Sequence, residues 1–140
     1  MRTPETPQPQ PLWAYGLTIP HDPRAVRVVR ATIRSILAAA KLNCIVDTVE
    51  LLVSEVVTNA YRCSAQETYV SMERTPEDFR VTVWDHGSGA PAPRAPSDED
   101  EHGRGLGIVE ACADRWGVRD YPRGKAVWFS VVPKSNGDEA

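Results

Sequence analysis

The sequence has 140 residues, of which 41% are hydrophobic and 25% charged, and its 16 basic and 19 acidic side chains give a formal net charge of -3. These values are typical of one globular domain and exclude a wholly disordered chain. Without a basic excess, wrapping nucleic acid is excluded as the main task. The polar start of the chain lacks the apolar region of a secretory signal, and no apolar run has the roughly 20 residues that span a bilayer. We therefore expect a cytoplasmic protein that contacts neither membrane nor nucleic acid directly.

The chain divides into a tail, one folded domain and a short end. Residues 1–11 are rich in proline and predict a disordered tail, residues 12–133 form the predicted domain, and residues 134–140 predict a frayed terminus. The three cysteines include no Cys-x-x-Cys spacing, so neither a disulfide framework nor a zinc site is predicted.

Aromatic and β-branched residues predict a first strand over Trp13–Ile19. A first helix is predicted to begin at Asp22 and Pro23, a capping side chain followed by a proline, and to end near Lys41. Its apolar stripe consists of Val26, Val29, Ile33, Ile36, Leu37 and Ala40.

Four arginines of this helix recur near helical spacing and form a basic edge. The edge is a solvated face, a contact surface for an acidic protein partner or, less in keeping with the net charge, a contact for nucleic acid. Its members are Arg24, Arg27, Arg30 and Arg34.

Asn43 predicts the cap of a second helix from about Cys44 to Cys63, whose apolar residues follow a clear helical period. Strands over about Thr68–Arg74 and Phe79–Trp84 predict a hairpin around a polar turn. The loop that follows, from His86 to about Arg104, is long and typical of a binding loop or lid.

Beyond the loop, a helix is predicted from about Gly105 to Arg115 and a short strand over Trp116–Arg119. A turn at Tyr121–Gly124 leads into a final strand over Ala126–Val132. Helices segregated from a mixed, mostly antiparallel sheet predict an α+β fold, a two-layer α/β sandwich with its helices on one face of the sheet.

Glu55 and Asn59 form the first candidate site, since residues four apart on a helix share one face. An asparagine amide oxygen is a hard, neutral ligand suited to Mg²⁺. A neighbouring carboxylate can accept a proton from a nucleophile. Taken alone, the pair is more typical of two solvated polar residues.

The second candidate site is Asp85, which lies at the end of a predicted strand and is followed by Gly87 and Gly89. An ionised carboxylate only accepts hydrogen bonds, so it can recognise an exocyclic amine such as that of adenine. The glycines allow a backbone to approach a ligand closely. By itself the segment is also typical of an ordinary turn.

The third candidate site is a run of alternating glycines that opens a predicted helix: Gly103, Arg104, Gly105, Leu106 and Gly107. Backbone amides at a helix N-terminus bind anions. The alternative is a flexible hinge. The run is not a dinucleotide fingerprint, because the βαβ unit is absent.

In this order along the chain, the three sites resemble the N, G1 and G2 boxes of the GHKL ATPase superfamily, which includes gyrase, heat-shock protein 90, histidine kinases and MutL-type proteins. Leu51–Asn59, Trp84–Gly89 and Gly103–Val118 are similar to small stand-alone ATP-binding proteins of the anti-sigma-factor serine/threonine kinase type, which abound in actinobacteria. The resemblance covers about residues 13–132 and implies a Bergerat-type ATP-binding fold.

The resemblance implies a role for each matching residue. Asn59 would ligate Mg²⁺, Glu55 would be the general base toward an acceptor serine, and Asp85 would select adenine. The wall around adenine and ribose would be shaped by Gly87 and Gly89. The phosphates would be bound by Gly103, Arg104, Gly105, Leu106 and Gly107, with Arg104 toward the γ-phosphate and residues 90–102 as the ATP lid.

The same resemblance implies ATP and Mg²⁺ as the small ligands and three protein contacts. These are a sigma factor, an antagonist protein that carries the acceptor serine, and a second copy of the chain in a homodimer. Such a kinase would act in transcription regulation: it phosphorylates the antagonist, releases it and holds the sigma factor.

The sequence departs from the family pattern at two positions and in the lid. Cys63 stands where the family usually has histidine, and Gly124-Lys125-Ala126 replaces a Gly-x-Thr motif whose hydroxyl supports a water between the aspartate and adenine. Residues 98–101 make the lid acidic. Two alternatives to the kinase therefore stay open: a nucleotide-gated protein-binding module without catalysis, and a degenerate scaffold that binds partners without nucleotide.

Overall fold

The structure, a computed structural model, describes residues 10–86 and 107–134. These residues form a five-stranded sheet in the order β1-β2-β3-β5-β4, in which every neighbouring pair is antiparallel. The strands are β1 (Trp13–Ile19), β2 (Thr68–Arg74), β3 (Phe79–Asp85), β4 (Arg115–Tyr121) and β5 (Gly124–Val131). The predicted two-layer α+β fold is confirmed.

Helices α1 (Ala25–Ala39) and α2 (Val46–Cys63) pack against each other, and α2 lies on β3 and β5. The buried residues of α1 recur every four positions, at Ala25, Val29, Ile33 and Leu37. They meet the inward residues of the strands, because alternate strand side chains point to one face of a sheet. The resulting core is continuous and includes Met72, Phe79, Val81 and Phe129.

Both helix starts differ from the sequence prediction. The Asp22 carboxylate does accept a hydrogen bond from the Arg24 backbone amide at 2.7 Å, but the helix begins two residues after Pro23. Asn43 makes no side-chain capping bond; it begins a short 3₁₀ helix (Asn43–Ile45) that leads into α2. A tight 3₁₀ turn satisfies the first backbone groups in place of the predicted cap.

The hairpin of β2 and β3 follows the prediction, with β3 extending to Asp85. Its turn is closed by the buried Thr75 hydroxyl, which donates to the Asp78 carboxylate at 2.6 Å and accepts from the Asp78 amide at 3.0 Å. Threonine and aspartate favour such turns because their side chains satisfy nearby backbone groups.

The predicted helix from Gly105 to Arg115 ends too late. Residues 107–112 (α3) are helical, and Arg115 already belongs to β4, which is longer than the predicted short strand. The Asp114 amide donates to the Ser130 carbonyl at 2.9 Å. The chain therefore pairs with β5 from Asp114 onward, and the helix ends before this residue.

The face of the sheet opposite the helices carries aromatic rings that lie over glycines of neighbouring strands. A Cβ atom on Gly16 would collide with the Tyr69 hydroxyl group, and one on Gly117 would stand 2.7 Å from Trp128 Nε1. The Arg80 guanidinium stacks on Trp128 at 4.5 Å from the ring centre. These glycines are therefore needed for close packing of the rings.

Across the described ranges, no helix has the length and apolarity needed to cross a membrane. The predicted tail over residues 1–11 and the predicted frayed end over residues 134–140 fall mostly outside the described ranges and stay predictions.

Candidate functional site

The topology brings three chain segments together at one end of the sheet. β3 ends at Asp85, which lies opposite Thr68 at the start of β2 and opposite Lys125 near the start of β5. Only residues 64–67 separate the end of α2 from Thr68. Because α2 also packs on β3 and β5, its last turns lie at the same sheet end as Asp85.

Asn59 lies in these last turns of α2 and is buried, with 7% of its surface exposed. Glu55, one turn earlier on the same helix face, is half-buried. Two solvated polar residues would both be exposed, so the structure does not fit that alternative. The pair instead lies where the helical layer meets the sheet end.

Asp85 is held on the helical side of the sheet and forms an ion pair with Lys125. Its side chain is 4% exposed, and Lys125 Nζ donates to Asp85 Oδ2 at 3.2 Å. The two residues are direct cross-strand partners, and such partners share one face. The cation offsets the cost of burying the carboxylate.

Ala126 takes the place of the threonine in the expected Gly-x-Thr motif. Ala126 pairs with Trp84, and both lie on the face opposite Asp85 because the strand period is two residues. A hydroxyl at position 126 would therefore not face the Asp85 carboxylate. The residue of this segment that does contact Asp85 is Lys125, which sequence reasoning did not single out.

A second contact that sequence reasoning missed fixes the end of α2. The His21 ring stacks on Tyr61 with 4.0 Å between ring centres and a 6° interplanar angle. His21 Nε2 also donates to the Tyr61 carbonyl oxygen at 3.0 Å. The link between β1 and α1 thus holds the last turn of α2, next to Asn59. No local pattern signals a contact between residues this far apart in the sequence.

An open cleft of about 600 Å³ lies at the same sheet end but extends over the aromatic face. It shares Asp85 with the predicted nucleotide site and does not include Glu55 or Asn59. Its lining residues are Thr18, Tyr69, Trp84, Asp85, His86, Tyr121, Arg123 and Gly124.

Most of the predicted phosphate-binding run lies outside the described residues. Four members of this run lie there: Gly103, Arg104, Gly105 and Leu106. The same holds for Gly87 and Gly89 of the predicted adenine and ribose wall, and for the predicted lid over residues 90–102. Gly107 is described: it is exposed and helical, and a Cβ built on it meets no heavy atom of the described residues within 4 Å. Internal packing therefore does not require a glycine there.

The basic edge of α1 is partly neutralised within the chain. Arg24 pairs with Asp22 at 2.9 Å and lowers the pKa of that carboxyl to about 2. Arg34 binds the buried Glu50 carboxylate through two hydrogen bonds of 2.6 and 2.9 Å. These bonds lower the pKa of Glu50, against the opposing effect of burial. Arg27 and Arg30 are exposed.

The comparison with protein families gives a match to the model described as "Histidine kinase-like ATPase domain", over residues 19–131. The match spans most of the chain and all three candidate sites. The chain belongs to the histidine kinase-like ATPase domain family. No curated protein matches the chain.

Membership of the histidine kinase-like ATPase domain family makes the chain an ATP-binding domain, and such domains generally bind ATP with Mg²⁺. The two-layer fold, with Asp85 buried at the sheet end and Asn59 in the adjacent helix, agrees with this assignment.

Proposed function

We propose that this histidine kinase-like ATPase domain is a regulatory protein serine kinase of the anti-sigma-factor type. The observation that carries the proposal is the meeting of buried Asp85 and the Asn59 end of α2 at one end of the sheet. In a domain that binds ATP, this arrangement supplies an adenine acceptor and a metal ligand on two adjoining elements.

In the proposed complex, Asp85 accepts a hydrogen bond from the adenine amino group. A carboxylate that is 4% exposed gains more from this bond than an exposed one, since water competes less for it. Gly87 and Gly89 border adenine and ribose, and the Gly103–Gly107 run with Arg104 binds the phosphates through backbone amides and one cation.

The donor chemistry of Asn59 fits Mg²⁺, because an amide oxygen is a hard, neutral ligand. Asn59 would provide one protein ligand, and phosphate oxygens and water would provide the others. When bound, Mg²⁺ neutralises phosphate charge.

Glu55 is the proposed general base. The acceptor serine Oγ forms a bond to the γ-phosphorus as the bond from that phosphorus to the β,γ-bridging oxygen breaks, and ADP leaves. Glu55 accepts the serine hydroxyl proton. Its half-buried place, one helical turn from Asn59, supports this role, since proton transfer requires the base and the phosphate within one site.

The proposed protein partners are a sigma factor and an antagonist that carries the acceptor serine. Exposed Arg27 and Arg30, with Val28 half exposed between them, offer an acidic partner a surface of mixed charge and apolar character. The surface that we propose for a homodimer consists of exposed Tyr15 on the edge strand β1 and exposed Leu12 directly before this strand.

Calorimetric titration with MgATP and MgGTP tests the nucleotide site. We expect preferential binding of MgATP and a loss of roughly tenfold or more in affinity for Asn59→Ala, since a metal ligand is removed. Asn43→Ala is the matched control, because Asn43 is exposed and makes no capping bond. The absence of binding at millimolar MgATP would contradict the proposal and favour the scaffold alternative.

Transfer of radiolabelled phosphate from ATP to candidate antagonist proteins tests catalysis. Glu55→Gln should keep MgATP binding and lose at least about a hundredfold in transfer rate, whereas exposed Glu67→Gln should transfer normally. Normal transfer by Glu55→Gln would show that the base is assigned wrongly. Binding of both nucleotide and partner without any labelled serine would favour the nucleotide-gated binding module.

A further inference from the structure

We infer that Lys125 reads the N1 atom of adenine, so that Asp85 and Lys125 together recognise the adenine edge at two points. The inference rests on the proposed ATP site at Asp85. It assigns a specificity-determining function to a residue that neither the family match nor the sequence motifs single out.

Lys125 lies where a base that binds Asp85 would contact it. Lys125 is the direct cross-strand partner of Asp85, on the same face of the sheet, with Nζ 3.2 Å from Asp85 Oδ2. The Lys125 side chain is 22% exposed, against 4% for Asp85. Its ammonium group therefore stands at the boundary between the buried carboxylate and solvent, where a base approaching Asp85 would meet it.

Asp85 and Lys125 have enough hydrogen-bonding positions to bind each other and a base at the same time. A carboxylate has about four acceptor positions, and an ammonium group has three donors. Asp85 can therefore accept from Lys125 and from an amino group together, and Lys125 has further donors for a ligand. The ion pair does not have to break when a base binds.

The edge of adenine complements this pair of side chains, and the edges of guanine and hypoxanthine do not. In adenine the 6-amino donor and the N1 acceptor are neighbours, which complements an acceptor and a donor held side by side. Guanine and hypoxanthine present an oxygen at position 6 and a hydrogen on N1. Either base would place oxygen against carboxylate and N–H against ammonium, two mismatches in a buried site where unpaired polar groups are costly.

The test measures the affinities of ATP, 1-deaza-ATP and inosine triphosphate, each with Mg²⁺, by calorimetry. 1-Deaza-ATP lacks only the N1 acceptor. We expect the wild-type chain to prefer ATP over 1-deaza-ATP by about ten- to a hundredfold, the range for a hydrogen bond to a charged donor. Inosine triphosphate should bind more weakly than 1-deaza-ATP.

Lys125→Met should lower the preference for ATP over 1-deaza-ATP to about one, while Lys125→Gln, which keeps a donor, should retain part of it. Exposed Lys134→Met is the matched control and should keep the full preference. The preference is a ratio within one variant, so a general loss of folding affects both nucleotides equally. Melting curves of each variant check that the compared chains are folded.

The outcomes separate this inference from the proposed function. A wild-type chain that binds none of the three nucleotides overturns the proposed ATP site, and the inference with it. A wild-type chain that binds ATP and 1-deaza-ATP equally well overturns only the role of Lys125. The same holds if the preference for ATP survives unchanged in folded Lys125→Met.

Discussion

Gly107 is a residue that the packing of the described part of the chain does not explain. It is exposed and helical, and a Cβ there would meet no heavy atom of residues 10–86 and 107–134 within 4 Å. Glycine in a helix costs about 0.5–1 kcal/mol relative to alanine. A residue that is unfavourable for the helix and unnecessary for packing is accounted for if a phosphate approaches the backbone at that point.

Gly107→Ala should therefore separate stability from binding. We expect the free energy of unfolding to stay the same or rise by up to about 1 kcal/mol. The affinity for MgATP should fall by roughly fivefold or more, as a methyl group lengthens the amide contacts. Urea unfolding and calorimetry measure the two quantities, with exposed Glu110→Ala on the same helix as the control. A variant that binds MgATP as tightly as wild type would remove Gly107 from the phosphate site.

The sequence could predict the role of a residue where one side chain alone determines that role. It could not predict roles that depend on contact between two side chains distant in the sequence. The burial of Asn59 and Asp85 agrees with their predicted places at a site. The contact between Lys125 and Asp85, and the stack of His21 on Tyr61, depend on strand register and loop closure. A local sequence pattern encodes neither contact.

At the scale of elements, hydrophobic period predicts the interiors of the strands and helices well and their ends poorly. β1 and β2 begin and end where the sequence predicts, because alternation and turn residues both mark them. The predicted start of α2 and the predicted end of α3 were wrong. At these ends tertiary pairing and a 3₁₀ turn replaced the capping bonds that local sequence favours.

The pairing of α1 with α2 depends on the Arg34–Glu50 ion pair in addition to the apolar stripe. Arg34→Met leaves the Glu50 carboxylate, 11% exposed, without its guanidinium. We expect a loss in the free energy of unfolding at pH 7 that exceeds the loss in a surface variant, because the Glu50 carboxylate loses both of its hydrogen bonds to Arg34. The surface variant Arg27→Met, on the same helix, should lose at most about 0.5 kcal/mol.

The same pair predicts a pH dependence. Arg34 lowers the folded-state pKa of Glu50 below its usual value of 4.5. The pair therefore stabilises the fold fully above pH 4.5 and loses this contribution as the pH falls through the lowered pKa. The difference between wild type and Arg34→Met should be large at pH 7 and shrink in acid. Urea unfolding followed by tryptophan fluorescence measures this difference in the free energy of unfolding. An equal difference at pH 7 and in acid would contradict the stabilising role of the Arg34–Glu50 pair.

At the scale of the whole molecule, the layer arrangement decides where ligands can act. The helices cover one face of the sheet, and the candidate site lies at the sheet end, where α2, β3 and β5 meet. The segregation of helical and strand patterns was enough to predict this architecture. The order β1-β2-β3-β5-β4 was not predictable from those patterns, because the crossover of β5 between β3 and β4 leaves no local signal.

A ligand that joins α2 to two strands should stabilise the whole domain by mass action, since it binds the folded chain alone. At a MgATP concentration a hundredfold above the dissociation constant, the gain is about 2.7 kcal/mol. For a chain of this size the melting temperature should then rise by about 5–10 °C. Thermal unfolding at several concentrations of MgATP, with MgGTP and ATP plus EDTA as controls, measures this shift. The shift should grow with the logarithm of concentration and decrease in Asn59→Ala. A melting temperature that MgATP leaves unchanged, in a chain that calorimetry shows to bind it, would mean that the nucleotide also binds the unfolded chain and would contradict a site formed only by the fold.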